Sequence, residues 1–183
     1  MIGNLFVAKW LYNSEIDIHE GYDKMFRESC EYGYFEVAKW LYSLGNVNIH
    51  TRGEHSFRYS CLHGYFDISK WLYSLGNVNI HAGKNEAFRS SCRNGYFEVA
   101  KWLYSLGKID IHSCEEDAFC SSCDRGHLEI AQWLYSFGNV DIHCNSGYSF
   151  AMSCVHGHLE VSMSKALWTL SAQALERQNG YIH

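Results

Sequence analysis

Along Phe35-Glu36-Val37-Ala38-Lys39-Trp40-Leu41-Tyr42-Ser43-Leu44, apolar residues recur with a helical period rather than alternating. Phe35, Val37, Ala38, Leu41, Tyr42 and Leu44 cover a broad arc of the helical wheel, with Glu36, Lys39 and Ser43 opposite. This pattern predicts a helix buried on about two sides. Gly45 is its natural stop, in the left-handed conformation. A different pattern precedes Gly33, Gly64, Gly95, Gly126 and Gly157. It holds a Phe, a Ser and a Cys, such as Phe57, Ser60 and Cys61, at spacings that share one helical face. The small Ser and Cys would let a neighbouring helix come close. Polar connectors, such as residues 46–53, follow each helix pair.

Both patterns return every 31 residues. Trp40, Trp71, Trp102 and Trp133 keep that spacing, as do Cys30, Cys61, Cys92, Cys123 and Cys154, and His50, His81, His112 and His143. The expected fold is all-α: helix–turn–helix units that bury their apolar faces only by stacking. An array over residues 1–161 would hold a half repeat at 3–19, units at about 23–53, 54–84, 85–115 and 116–146, and a partial unit at 147–161. Residues 162–183 lose the period and are expected to form a helical cap.

These units resemble ankyrin repeats. Gly126-His127-Leu128-Glu129-Ile130-Ala131 and Gly157-His158-Leu159-Glu160-Val161 match the Gly-His-Leu-Glu-Val opening of that family's second helix, and Gly138-Asn139-Val140-Asp141 looks like a contracted Gly-Ala-Asp-Val-Asn. The wording Trp-Leu-Tyr-Ser-Leu-Gly-Asn-Val is similar to the ankyrin proteins of giant amoeba-infecting DNA viruses. The resemblance implies an ankyrin solenoid with a concave face that holds a protein partner. It departs from the family in two ways. The period is 31 rather than the usual ~33. The family's Thr-Pro-Leu-His is absent, since the chain has no proline, and its place is taken by Ser56-Phe57-Arg58 and Ala87-Phe88-Arg89. Without proline in the first turn, the start of the helix is expected to be less preorganised.

Charge and composition narrow the function. A formal charge of −5 argues against a dedicated nucleic-acid binder, which needs a basic face. No stretch is long and apolar enough for a membrane span, and the first residues do not read as a secretory signal. The expectation is an intracellular, cytoplasmic protein, in host cells if viral, and a monomer. The eight cysteines and eleven histidines invite a metal reading. One Cys per unit, on helices roughly 8–10 Å apart, cannot converge on a zinc ion. Cys114, Cys120 and Cys144 break the period, and Cys120 with Cys123 makes a Cys-x-x-Cys lacking its usual redox context. A reducing compartment makes disulfides unexpected. No catalytic motif stands out, so neither an enzyme nor a cofactor is expected.

Binding should sit where units differ: just before the glycines and in the connectors. That choice gives Tyr32, Arg52, His55, His63, Lys84, Arg93, Asn94, Glu116, Asp124, Arg125, Tyr148 and His156 as candidate contacts with a protein partner. The Trp ladder is expected to seal repeats together rather than bind a ligand. The alternatives are a truncated or decaying member of an expanded viral family, without a specific partner, and a Cys-based metal or redox protein.

Overall fold

The computed structural model describes residues 21–45, 47–141 and 148–158, together with 160 and 164. The half repeat at 3–19 and all but one residue of the tail 162–183 lie outside this set. Among the described residues every regular element is a helix. In chain order these are α1 (Tyr22–Glu31), α2 (Phe35–Ser43), α3 (Thr51–Leu62), α4 (Phe66–Ser74), α5 (Ala82–Arg93), α6 (Phe97–Ser105), α7 (Ser113–Asp124), α8 (Leu128–Tyr135) and α9 (Tyr148–Val155). The chain divides into two compact units, Met1–Ala87 and Phe88–His183, with α5 running through the division.

In the first unit α1 packs on α2 and α3, and α3 on α4. Phe26 and Phe57 fill the middle, with Cys30, Cys61, Ala38, Leu41, Ile68 and Leu72 buried around them. The small side chains do what their size allows. Ser60 Oγ meets Ser69 Oγ at 2.9 Å, tying α3 to α4 through fully buried hydroxyls. Trp71 is half-buried, with its ring centroid 6.1, 5.5 and 5.7 Å from those of Phe26, Phe35 and Tyr42. It therefore seals one helix pair onto the preceding one. In the second unit α7 packs on α8 and α9. Phe88, Cys92, Leu103, Phe119, Cys123, Ile130 and Leu134 form the core, and Trp133 repeats the sealing contact against Phe88, Phe97 and Tyr104.

Each helix pair turns on a glycine with positive φ, and at some of these glycines a side chain would have no room. A Cβ on Gly33 (φ +78°) would lie 2.7 Å from the Tyr65 ring, and one on Gly95 (φ +82°) 2.6 Å from the His127 ring. Only glycine satisfies both demands.

The helix starts replace proline with a left-handed turn. Arg52, Gly53 and Glu54 have φ of +53°, +62° and +61°, and Gly83, Lys84 and Asn85 have +63°, +56° and +59°. Cys114 and Glu116 do the same at +57° and +63°. Non-glycine residues there cost on the order of 1 kcal/mol each. The third residue of each turn offsets that cost by burying a polar side chain against the preceding histidine. His50 Nδ1 lies 3.0 Å from Glu54 Oε1, His81 Nδ1 2.8 Å from Asn85 Oδ1, and His112 Nδ1 2.6 Å from Glu116 Oε1. His50, His81 and His112 are thus latches on a strained turn. In the first unit the latch also reaches the next connector, where Asn79 donates its N–H to Glu54 Oε1 at 3.3 Å. Asn48 N–H donates to Asp23, the equivalent residue one repeat earlier, at 2.9 Å.

The cysteines divide differently from the sequence expectation. Cys30, Cys61, Cys92 and Cys123 are fully buried free thiols, but Cys154, the fifth of the series, is exposed, as is Cys114. Cys120 is disulfide-bonded, which corrects the expectation that no disulfide forms. That expectation rested on the presumed compartment and not on geometry. No group of three or more potential metal ligands converges among the described residues.

Candidate functional site

The first unit carries a row of aromatic rings on its surface. His55, Tyr59 and His63 are spaced four apart on α3 and so share one face. His55 and Tyr59 stack at 4.0 Å and 21°, and Tyr59 and His63 follow at 6.4 Å. His63 caps α3 and is 6.0 Å from Tyr65, whose ring covers Gly33. Tyr32 and Tyr34 flank that glycine with their rings 6.3 Å apart, and Tyr32 is 59% exposed. Beside the row is a cleft of about 320 Å³ lined by Gly33, Phe35, Gly64, Tyr65, Phe66, Asp67 and Ile68. One end of the row is fixed by Glu31, which lies 3.3 Å from His55 Nε2.

The second unit presents charge at comparable positions. Asp117 receives Arg89 at 2.5 Å and Arg93 at 2.8 and 2.9 Å. Arg125 reaches Asn94 Oδ1 at 3.2 Å. His156 Nδ1 lies 3.2 Å from the Asp124 carbonyl and 3.4 Å from its carboxylate. His127 Nε2 bonds the Arg93 carbonyl at 3.1 Å, which makes Nε2 the protonated nitrogen. Burial pushes the His127 imidazole below its ordinary range; Arg125 and His158 add to this, and the carbonyl bond opposes it.

These contacts sort the twelve residues chosen from sequence. Tyr32, Arg52, His63, Lys84, Arg125 and His156 are exposed. His55, Arg93, Asn94 and Asp124 are only part-exposed and join neighbouring repeats through Glu31, Asp117, Arg125 and His156. Glu116 is buried at 8% exposure and serves the His112 latch, which removes it from the partner-facing set. The side chain of Tyr148, and Cys144, lie outside the described residues. Sequence reasoning passed over Tyr34, Tyr59 and Tyr65 in the aromatic row. It also passed over the ion pairs from Arg58 to Glu86 and Arg89 to Asp117. The spacing of 28 shared by these two pairs was a readable signal.

Burial pushes the Cys30 and Cys61 thiols up to about 12, which makes them poor nucleophiles at neutral pH. No helix among the described residues is long and apolar enough to cross a membrane. No family model matches the chain, and no curated protein matches it.

Proposed function

We propose that the chain is an ankyrin-repeat solenoid of 31-residue units acting as a non-enzymatic binding module. Its variable positions hold a protein partner, and its repeated positions build the scaffold. One observation carries the reading: the positions before the turn glycines hold outward-facing tyrosine, histidine and arginine, while the repeated Phe, Ser and Cys beside Gly33, Gly64, Gly95 and Gly126 are buried. Tyrosine and arginine are the residue types that dominate binding energy at interfaces.

The test is affinity capture from the cells that make the protein. Wild type is compared with a variant combining Tyr32→Ala, His63→Ala, Asn94→Ala and Arg125→Ala, matched for helicity by circular dichroism. A partner held by wild type and lost by the variant supports the reading. A partner held equally by both, or no partner even after in-cell crosslinking, overturns it.

A further inference from the structure

The geometry points to Asn94-Gly95 as a self-modifying site: the Gly95 main-chain nitrogen closes on the Asn94 side chain, Arg125 and His127 promote the ring closure, and the amide is converted to an acid. Water is the only co-reactant.

Four groups meet at one turn. Asn94 follows α5 and stands before the turn glycine of its helix pair. Of the residues in that position, Tyr32, His63, Asn94, Arg125 and His156, it alone carries a carboxamide. Gly95 has φ +82° and no Cβ, so nothing of its own blocks the approach of its nitrogen to the neighbouring side chain. Arg125, one repeat later, donates Nη1 to Asn94 Oδ1 at 3.2 Å. His127 lays its ring on Gly95, with Nδ1 2.8 Å from where a Cβ would stand. Nε2 bonds the Arg93 carbonyl at 3.1 Å and carries the proton, so Nδ1 is the basic nitrogen. Burial, with Arg125 and His158 nearby, holds this ring below its ordinary range and keeps it neutral near pH 7.

The Gly95 nitrogen bonds to Asn94 Cγ while the Cγ–Nδ2 bond breaks. The Gly95 amide proton passes to His127 Nδ1 and on to Nδ2, which leaves as ammonia. Arg125 meets the negative charge that gathers on Oδ1 in between. Water then opens the cyclic imide. Cleavage between the Gly95 nitrogen and Cγ gives aspartate, and cleavage between that nitrogen and the Asn94 main-chain carbonyl gives isoaspartate. Nothing is oxidised or reduced. The fold also resists the step, because the Gly95 N–H donates to the Cys92 carbonyl and has to let go. At 3.3 Å this is the longest of three bonds at the turn, beside 3.0 Å from Asn94 to Ser90 and 2.9 Å from Tyr96 to Ser91. Releasing one such bond at a helix end slows the step on the order of tenfold. A donor at a developing oxyanion speeds it roughly 100-fold, and a positioned base by about as much. The promoting groups therefore win. Aspartate at position 94 turns a neutral bond between repeats into an ion pair with Arg125 and adds one negative charge to a chain at −5. Isoaspartate lengthens the main chain inside the turn and loosens it.

The experiment uses the full chain, which holds its own reference. Arg93-Asn94-Gly95-Tyr96 and Gln178-Asn179-Gly180-Tyr181 share one Asn-Gly-Tyr run. Purified protein is kept near neutral pH for days, and peptide mapping by mass spectrometry follows aspartate and isoaspartate at both sites. The expected result is conversion at Asn94 at least about tenfold faster than at Asn179. In urea, where the fold is lost, the two sites run alike. Arg125→Ala and His127→Tyr, each shown folded by circular dichroism, slow Asn94 about tenfold or more and leave Asn179 unchanged. His127→Tyr copies the Tyr65 ring over Gly33, so the turn stays covered. Arg125→Lys, which keeps a charged donor, slows Asn94 less than Arg125→Ala does. A rate at Asn94 no greater than at Asn179, an excess that persists in urea, or an excess that survives Arg125→Ala or His127→Tyr overturns the proposal.

Discussion

Substitutions at Glu54 test whether the histidine latch holds the left-handed turn. The Glu54 side chain is 9% exposed; its carboxylate lies 3.0 and 3.1 Å from His50 Nδ1 and accepts the Asn79 N–H at 3.3 Å. Glu54→Ala removes the acceptor from both groups and leaves alanine at φ +61°. Losing the acceptor of a part-buried N–H costs about 1–2 kcal/mol, and a side chain held in the left-handed region costs roughly 1 kcal/mol relative to glycine, in wild type as in the alanine variant. The expected losses are about 1–2 kcal/mol for Glu54→Ala, which keeps the backbone cost that wild type already bears, and about 1 kcal/mol or less for Glu54→Gly, since glycine relieves it. Glu54→Gln keeps an acceptor oxygen, and Asn85 performs the same task for His81 at 2.8 Å, so its loss should stay under about 1 kcal/mol. The assay is urea unfolding of the full chain, followed by circular dichroism and tryptophan fluorescence, with midpoints compared only where the two probes coincide. Both Gln and Gly should be more stable than Ala. If Ala equals or exceeds Gly, the turn is not strained in the way described.

Gly33 and Gly45 have nearly the same φ, +78° and +82°, but a Cβ meets the Tyr65 ring at Gly33 and nothing within 4 Å at Gly45. Gly45→Ala should cost about 1 kcal/mol and Gly33→Ala at least ~2 kcal/mol more, read from urea midpoints; equal costs would refute the ring contact. Trp71→Ala removes the seal against Phe26, Phe35 and Tyr42 and should cost about 3–5 kcal/mol, and a loss under ~1 kcal/mol would show Trp71 to be peripheral. Because Cys61 is raised from 9.0 to about 12 in the fold, its contribution to stability is complete below pH 9 and is lost as pH rises towards 12, at roughly 1.4 kcal/mol per pH unit. Cys61→Ala should flatten that alkaline decline, and an unchanged slope would argue that the thiol is accessible. His127 is depressed in the fold, so the unfolded chain takes up a proton first and stability falls as pH drops below about 6.5. His127→Tyr, which copies Tyr65 on Gly33, should lessen the loss between pH 7 and 5, measured by thermal unfolding.

The helix pairs and most of their core were legible because repetition averages out accident. A Phe, Ser or Cys that returns every 31 residues is read as scaffold, and Phe57, Ser60 and Cys61 are indeed among the most buried residues. The left-handed turns were not legible. Arg52-Gly53-Glu54 and Gly83-Lys84-Asn85 place glycine at different points, so no single position signals positive φ. The latch residues Asp23, Glu54, Asn85 and Glu116 do keep the period, but their identities vary, and variation was taken as a mark of the surface. The fate of Glu116 shows the weakness of that inference. What holds these positions is an acceptor oxygen, which Glu and Asn supply equally well to a histidine four residues earlier. Cys120 breaks the period, and its disulfide leaves no trace in local spacing.

Variation along these repeats therefore has two physical sources, and they have opposite meanings. Glu31 with His55, and Arg93 with Asp117, are pairs 24 residues apart that bridge one repeat to the next. Arg58 with Glu86, and Arg89 with Asp117, bridge at a spacing of 28. A residue in such a bridge is matched to its neighbour, not to solvent or to an outside partner, so it differs from repeat to repeat while remaining constrained. Exchanging two repeats would set Glu31 against Glu86 or Asp117, acid against acid, or leave Arg93 facing a histidine. Removing the bridges from the variable set leaves a smaller surface with a sharper character. In the first unit it is a row of rings with one carboxylate at its end. In the second the exposed Arg125 and His156 are themselves held by Asn94 and Asp124. The latches and bridges beneath keep each helix pair in place.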